Sequence, residues 1–151
     1  MINSLVTGAG GFIGKFLVQA LISRGDNVVQ IHNINKKADG TNKKDVFNVD
    51  IRSEREVEKI FLDYQPNNIF HLAAQSSPTQ SFLDPQTTMD INYGGTINII
   101  NSATKLKVKP SILIVSSSSV YSSSEDTPVY ENFLCSPLNP YGISKLAAEN
   151  Y

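Results

Sequence analysis

Tyr141 and Lys145 stand four residues apart in the stretch Asn139-Pro140-Tyr141-Gly142-Ile143-Ser144-Lys145, which opens as a helix. A phenol and an ammonium on one helix face are equipped to move protons. A phenol with an ordinary pKa near 10 must fall by about three units to act at neutral pH, which takes roughly 4 kcal/mol of anion stabilisation. One cation about 4 Å away supplies on the order of 4 kcal/mol at an effective dielectric near 20, so Lys145 suffices in magnitude. A hydroxyl at Ser117, in the run Ser116-Ser117-Ser118-Ser119-Val120-Tyr121, can hold a substrate oxygen in line and share its proton. Tyr-x-x-x-Lys alone is a common helix face; its weight depends on what surrounds it.

A second constellation lies at the other end of the chain. Ser4-Leu5-Val6-Thr7 reads as a buried strand, and glycines follow at every third position, Gly8, Gly11 and Gly14. Ile13 stands where the last glycine of a G-x-G-x-x-G pattern would fall. Gly8 takes the turn out of the strand, Gly11 leaves bare backbone for a pyrophosphate, and Gly14 lets a helix press onto the sheet. The amides at Phe12 and Ile13 then face phosphates at a helix N-terminus. This is the pattern of a dinucleotide cradle. The positive charge of an oxidised nicotinamide would add to the effect of Lys145.

The elements between these ends must bring them together. Ile13, Phe16, Leu17, Ala20 and Leu21 predict one apolar helix stripe, closed by Arg24-Gly25. Asn27 to His32 reads as a second strand, placing His32 and Asn33 where such a fold meets the adenosine ribose. No acid stands there to repel a 2′-phosphate, and Lys36 and Lys37 follow, so a slight preference for NADP is expected. Ala38 to Lys44 is a polar loop, Asp45 to Val49 a third strand, and Asp50 at its end can accept from an adenine amino group. Ser53 and Glu56 predict a capping box for a helix reaching Tyr64, with Val57, Ile60 and Phe61 on its inner face. Asn68 to Ala74 reads as a central strand, after which a loop around Pro78 and Asp84-Pro85 leads to one long helix from about Gln86 to Leu106. Gly94-Gly95 marks close packing or a bend in it. Ser111 to Val115 is a fifth strand, read as an inner one, and an irregular segment from Ser122 to Pro140 is placed to cover a substrate.

Composition excludes several classes. The chain has 151 residues, 40% hydrophobic and 18% charged, as one folded domain requires. A formal net charge of −1 argues against nucleic acid as a partner, and Lys36, Lys37, Lys43 and Lys44 form a local surface cluster. No basic segment precedes a long apolar run, so neither export nor membrane insertion is expected and the cytoplasm is the default. Cys135 has no partner for an internal disulfide, and with His32 and His71 it gives no zinc spacing, so no metal is expected.

Taken in order, the motifs resemble the extended short-chain dehydrogenase/reductases that act on nucleotide sugars. They are Thr7 to Gly14, Asp50-Ile51, His71-Leu72-Ala73-Ala74-Gln75-Ser76-Ser77, Asn92 with Gly95-Thr96, Ser117 with Val120-Tyr121, and Tyr141 with Lys145. The resemblance implies an α/β fold, a Rossmann-like, doubly wound, three-layer parallel sheet, binding NAD(P) over residues 1–151. It implies hydride transfer at a sugar carbon, with Tyr141 as base, Lys145 as its activator and ribose ligand, and Ser117 on the substrate hydroxyl. Phe12, Ile13, Asp50, Ile51, Leu72, Ala73, Ala74 and Gln75 match cofactor contacts. Ser76, Ser77 and Ser118 are expected toward the substrate, and a homodimer through Rossmann helices is implied.

Within the family the Ala-Ala-Gln-Ser-Ser wording is similar to the GDP-mannose dehydratase and GDP-4-keto-6-deoxymannose reductase branch. Dehydratases usually carry an acid just after the catalytic hydroxyl, and here Ser118 and Ser119 follow it. An epimerase or 4-keto reductase is therefore expected ahead of a 4,6-dehydratase. Family members continue with further strands and a C-terminal substrate domain. The chain is accordingly expected to be an N-terminal fragment, and a non-catalytic NAD(P)-binding module is the rival reading.

Overall fold

The computed structural model describes residues 2–33, 45–121 and 128–151. The lysine cluster at 36, 37, 43 and 44, and the start of the segment expected to cover a substrate, lie outside them. Five strands form one parallel sheet: β1 (Asn3–Thr7), β2 (Asn27–His32), β3 (Val46–Asn48), β4 (Asn68–His71) and β5 (Ser111–Ile114), in the order β3-β2-β1-β4-β5. The order reverses between β1 and β4, where Ser4 pairs with Asn68 and Thr7 with His71. Open α/β sheets bind ligands at the carboxyl ends of strands beside such a switch.

Successive strand residues face opposite sides, and this alternation sorts two cores. On one side Leu5, Val29, Ile31 and Ile69 meet Val57, Ile60 and Phe61 of α2 (Glu54–Tyr64) and Ile99 and Ala103 of α5 (Gly95–Thr104). On the other, Val6 and Val28 meet Val18 and Leu21 of α1 (Phe12–Arg24). The result is the expected doubly wound, three-layer arrangement.

The face of α1 differs from the expected stripe. Gly14, Val18 and Leu21 are buried, whereas Ile13 and Phe16 are 59% and 56% exposed and Ala20 is exposed as well. A Cβ on Gly14 would lie 2.8 Å from the Ala9 Cα, so glycine alone lets the helix touch the turn. That contact sets the rotation, and residues four and seven further on then face the sheet.

Two further differences lie between β4 and β5. The expected long helix is three pieces: α4 (Pro85–Met89), a π-helical turn (Asp90–Gly94) and α5. The stretch around Pro78, expected as loop, forms α3 (Pro78–Leu83), with the Ser77 hydroxyl accepting from the Gln80 amide and proline in the first turn. Asp84 caps α4 in the same way, accepting from Thr87. By contrast, Ser53 starts α2 without the expected side-chain cap bond.

β4 ends at His71, ahead of the expected Ala74. β5, read as an inner strand, is an edge of the described sheet, with Ile112 and Leu113 37% and 50% exposed. After a 3₁₀ turn (Ser118–Val120), α6 (Pro140–Asn150) starts from Asn139, whose side chain accepts from the Gly142 amide. No helix among the described residues is long and apolar enough to cross a membrane.

Gly95 resolves what the glycine pair does, because a Cβ there would sit 2.5 Å from Ile51 Cδ1 in the core. Gly95→Ala is expected to lower stability by about 1–3 kcal/mol through overpacking, read as a lower urea midpoint. An unchanged midpoint would mean that Ile51 swings aside freely.

Candidate active site

A cleft of about 700 Å³ opens at the carboxyl ends of the strands. Gly8, Gly11, Phe12, Ile13 and Gly14 form its wall at the first turn. Gly8 holds φ +68°, and a Cβ there would meet the Ala73 amide at 2.8 Å. The Gly11 amide closes the turn onto the Gly8 carbonyl at 2.9 Å. No side chain caps α1, which leaves its first-turn amides to water or a ligand. A dinucleotide pyrophosphate fits this cradle on both counts.

The middle of the chain supplies the next wall. Asn33, Asp50 and Ile51 line it at the ends of β2 and β3, and Leu72, Ala73, Ala74, Gln75 and Ser76 line it past β4. Asp50 takes a bidentate partner from within the chain, with Arg52 Nε at 3.0 Å from both oxygens and Nη2 at 2.5 Å from Oδ2. Those bonds hold its carboxyl below the usual aspartate value. Arg52, Thr87, Ile91 and Ser116 also line the cleft and were not singled out from sequence. Thr87 lies in α4 and Ile91 in the π-helical turn after it, and Asp84 followed by Pro85 is the sequence signal for where that stretch begins.

Tyr141 and Lys145 close the cleft from α6, both nearly buried. Burial pushes the Lys145 ammonium below the ordinary lysine value, against an opposing pull from Glu149. Ser117 stands outside the lining and caps the 3₁₀ turn, its hydroxyl accepting from the Ser119 amide at 3.1 Å. The turn nevertheless packs on α6, because Gly142 has no Cβ to strike the Ser119 carbonyl. Ser77 and Ser118 also lie outside the lining, as the cap of α3 and the first residue of the 3₁₀ turn. Thus the structure gathers the glycine turn, the residues past β4 and the Tyr141–Lys145 pair around one space.

His71 sits beneath that space, 1% exposed, between Thr7 at 2.7 Å and Thr96 at 3.0 Å. Burial, with a smaller push from Lys145, lowers its pKa from 6.5 to about 3. Between those values the unfolded chain takes up a proton that the fold refuses, so stability falls as pH drops. The expected slope from His71 is about 1.4 kcal/mol per pH unit below roughly pH 6, absent above it. Urea unfolding at several pH values checks this against His71→Gln. An identical slope in that variant would place the proton uptake elsewhere.

The family described as GDP-mannose 4,6 dehydratase matches residues 5–151. A UDP-glucose 4-epimerase of Mycolicibacterium smegmatis is 31% identical over 156 residues, covering 99% of this chain and 50% of the relative. Among solved structures, Thermotoga maritima UDP-glucose 4-epimerase with UDP-glucose superposes with a TM-score of 0.90 at 30% identity, over 99% of this chain and 50% of that one. The Thermus thermophilus UDP-glucose 4-epimerase in complex with NAD gives 0.89 at 30% identity, over 99% and 49%. The chain spans about half the length of these relatives. With the glycine cradle, the parallel sheet and the Tyr-x-x-x-Lys helix on the same scaffold, the chain belongs to the NAD-dependent epimerase/dehydratase family of short-chain dehydrogenase/reductases.

Proposed function

We propose that this chain carries the cofactor-binding and proton-transfer half of a nucleotide-sugar 4-epimerase. The observation that supports it most is that Tyr141 and Lys145 line the same cleft as the glycine turn. Gly8, Gly11 and the first-turn amides of α1 would hold the pyrophosphate, with Lys145 toward the nicotinamide ribose. A nicotinamide bound there supplies the acceptor and donor for a hydride at the sugar carbon. Tyr141, as the phenolate, takes the proton of the sugar hydroxyl as the carbon is oxidised and returns it on reduction, and the Lys145 ammonium stabilises the phenolate present before the first step and regenerated by the second. Ser117 is assigned to the same sugar oxygen.

A UDP-hexose is the first substrate to try, since the relatives are named UDP-glucose 4-epimerases. A 4-keto reductase would use the same pair and exchange its cofactor at every turnover. The 4,6-dehydratase reading lacks an acid after Ser117, where Ser118 and Ser119 stand. Because the chain spans half of its relatives, a non-catalytic dinucleotide-binding module is the second reading.

Tyr141→Phe in the full-length protein is expected to lower kcat by about 10²–10⁴-fold with dinucleotide binding retained. Epimerisation of a UDP-hexose, followed by the appearance of its 4-epimer, is the measurement. Turnover unchanged in this variant would end the enzymatic reading.

On the cofactor itself, His32 and Asn33 stand at the end of β2 without a carboxylate, and the one guanidinium in the described cleft wall, Arg52, is paired with Asp50. NADP is expected to bind at least as tightly as NAD, and His32→Asp to shift preference toward NAD by about tenfold or more. Dissociation constants for both oxidised cofactors check this, and markedly tighter NAD binding by the unaltered protein would reverse it.

A further inference from the structure

Beneath the cleft a line of fully buried polar side chains runs from the glycine turn to α6: Thr7, His71, Thr96, Asn92 and Ser144, each 0–1% exposed. The direction of its bonds is determined. The Thr96 hydroxyl donates to the Asn92 carbonyl at 2.6 Å, so it can only accept from His71 Nε2 at 3.0 Å. The imidazole proton therefore sits on Nε2. Nδ1 then accepts from the Thr7 hydroxyl at 2.7 Å, which itself accepts from the Ala73 amide at 3.1 Å.

The Asn92 side chain carries the line onward. Its Oδ1 accepts from the Gln75 amide at 2.8 Å, and its Nδ2 donates to the Gln75 carbonyl at 3.0 Å and to Ser144 Oγ at 2.9 Å. Ser144 donates in turn to the Tyr141 carbonyl at 2.7 Å. Asn92 lies in the π-helical turn, which aims it at α6.

We propose that His71 is a positioning residue for Tyr141, fixing α6 against the glycine turn through Thr96 and Asn92; this rests on the reading of Tyr141 as acid and base. A line satisfied at every atom has one low-energy geometry, and breaking it anywhere leaves buried groups unpaired on both sides. An imidazole that only filled space would have no such directional consequence.

The test uses four variants of the full-length protein. His71→Gln retains a donor where Nε2 stands, whereas His71→Asn retains only the acceptor toward Thr7. Thr96→Val removes the hydroxyl at constant shape, and Thr96→Ser keeps it as the folding control. Amide exchange of Ile143 to Ala148 is measured without cofactor or substrate, and kcat and KM with both.

His71→Asn and Thr96→Val are each expected to speed exchange in α6 by about tenfold while β1 and β2 stay protected. Each should lower kcat by about tenfold with KM for the UDP-hexose and the dissociation constant of the dinucleotide little changed, and the double variant should be no worse than the more impaired single. His71→Gln and Thr96→Ser should recover most of kcat. Faster exchange spread evenly over the sheet and α6, additive losses, or equal loss in the Gln and Asn variants would overturn the proposal. Because exchange is read without turnover, an active Tyr141→Phe would end the catalytic reading while leaving the exchange result to judge the linkage of α6 alone.

Discussion

Everything at the site depends on a contact between two pieces of backbone. The turn after β1 touches the segment after β4, with Gly8 against the Ala73 amide and the Leu72 amide bonded to the Thr7 carbonyl at 3.2 Å. A second backbone contact, Gly14 against the turn, then seats α1. These approaches leave no room for a side chain, so the cradle is made of main chain and its shape is set by the sheet. That rigidity suits a pyrophosphate, which needs fixed amides more than adaptable side chains.

The polar interior completes the arrangement in a different way. Apolar clusters cover both sheet faces, but the join between the turn, β4 and α6 is made by hydroxyls, an amide and an imidazole. Hydrophobic packing is non-directional and tolerates small slips, whereas hydrogen bonds in a low dielectric specify orientation. Lys145, nearly buried, lies in the same region as the neutral His71. A charged imidazole beside that ammonium would be repelled by it as well as desolvated, and the two groups therefore share one protonation pattern.

The order of elements was legible because glycine, proline and capping residues punctuate it: Arg24-Gly25 ends α1, Pro66 follows α2, and Asn139-Pro140 opens α6. The rotation of α1 was not legible. Phe12, Ile13, Phe16, Leu17, Val18, Ala20, Leu21 and Ile22 leave almost no polar face, so periodicity selects no side, and a backbone contact at Gly14 decides it. The π turn escaped for a related reason, since one inserted residue leaves no repeating pattern to detect. The glycine wall and the Tyr141–Lys145 pair could be read because residue type and spacing, taken with the order of the surrounding elements, single them out, and the structure brings them to one cleft. Arg52 and Ser116 enter the cleft through tertiary placement, and no local spacing announces them.

The contact between Gly10 and His32 has a consequence for how the cleft wall can be altered. A Cβ at position 10 would fall 2.8 Å from the His32 Nδ1, so the absent methyl and the imidazole occupy neighbouring volumes. The two sites, apart along the chain, share this volume: a methyl at 10 requires the imidazole at 32 to shift, and a shorter side chain at 32 removes that requirement. Both residues line the cleft, so a redesign of its wall at either position has to account for the other.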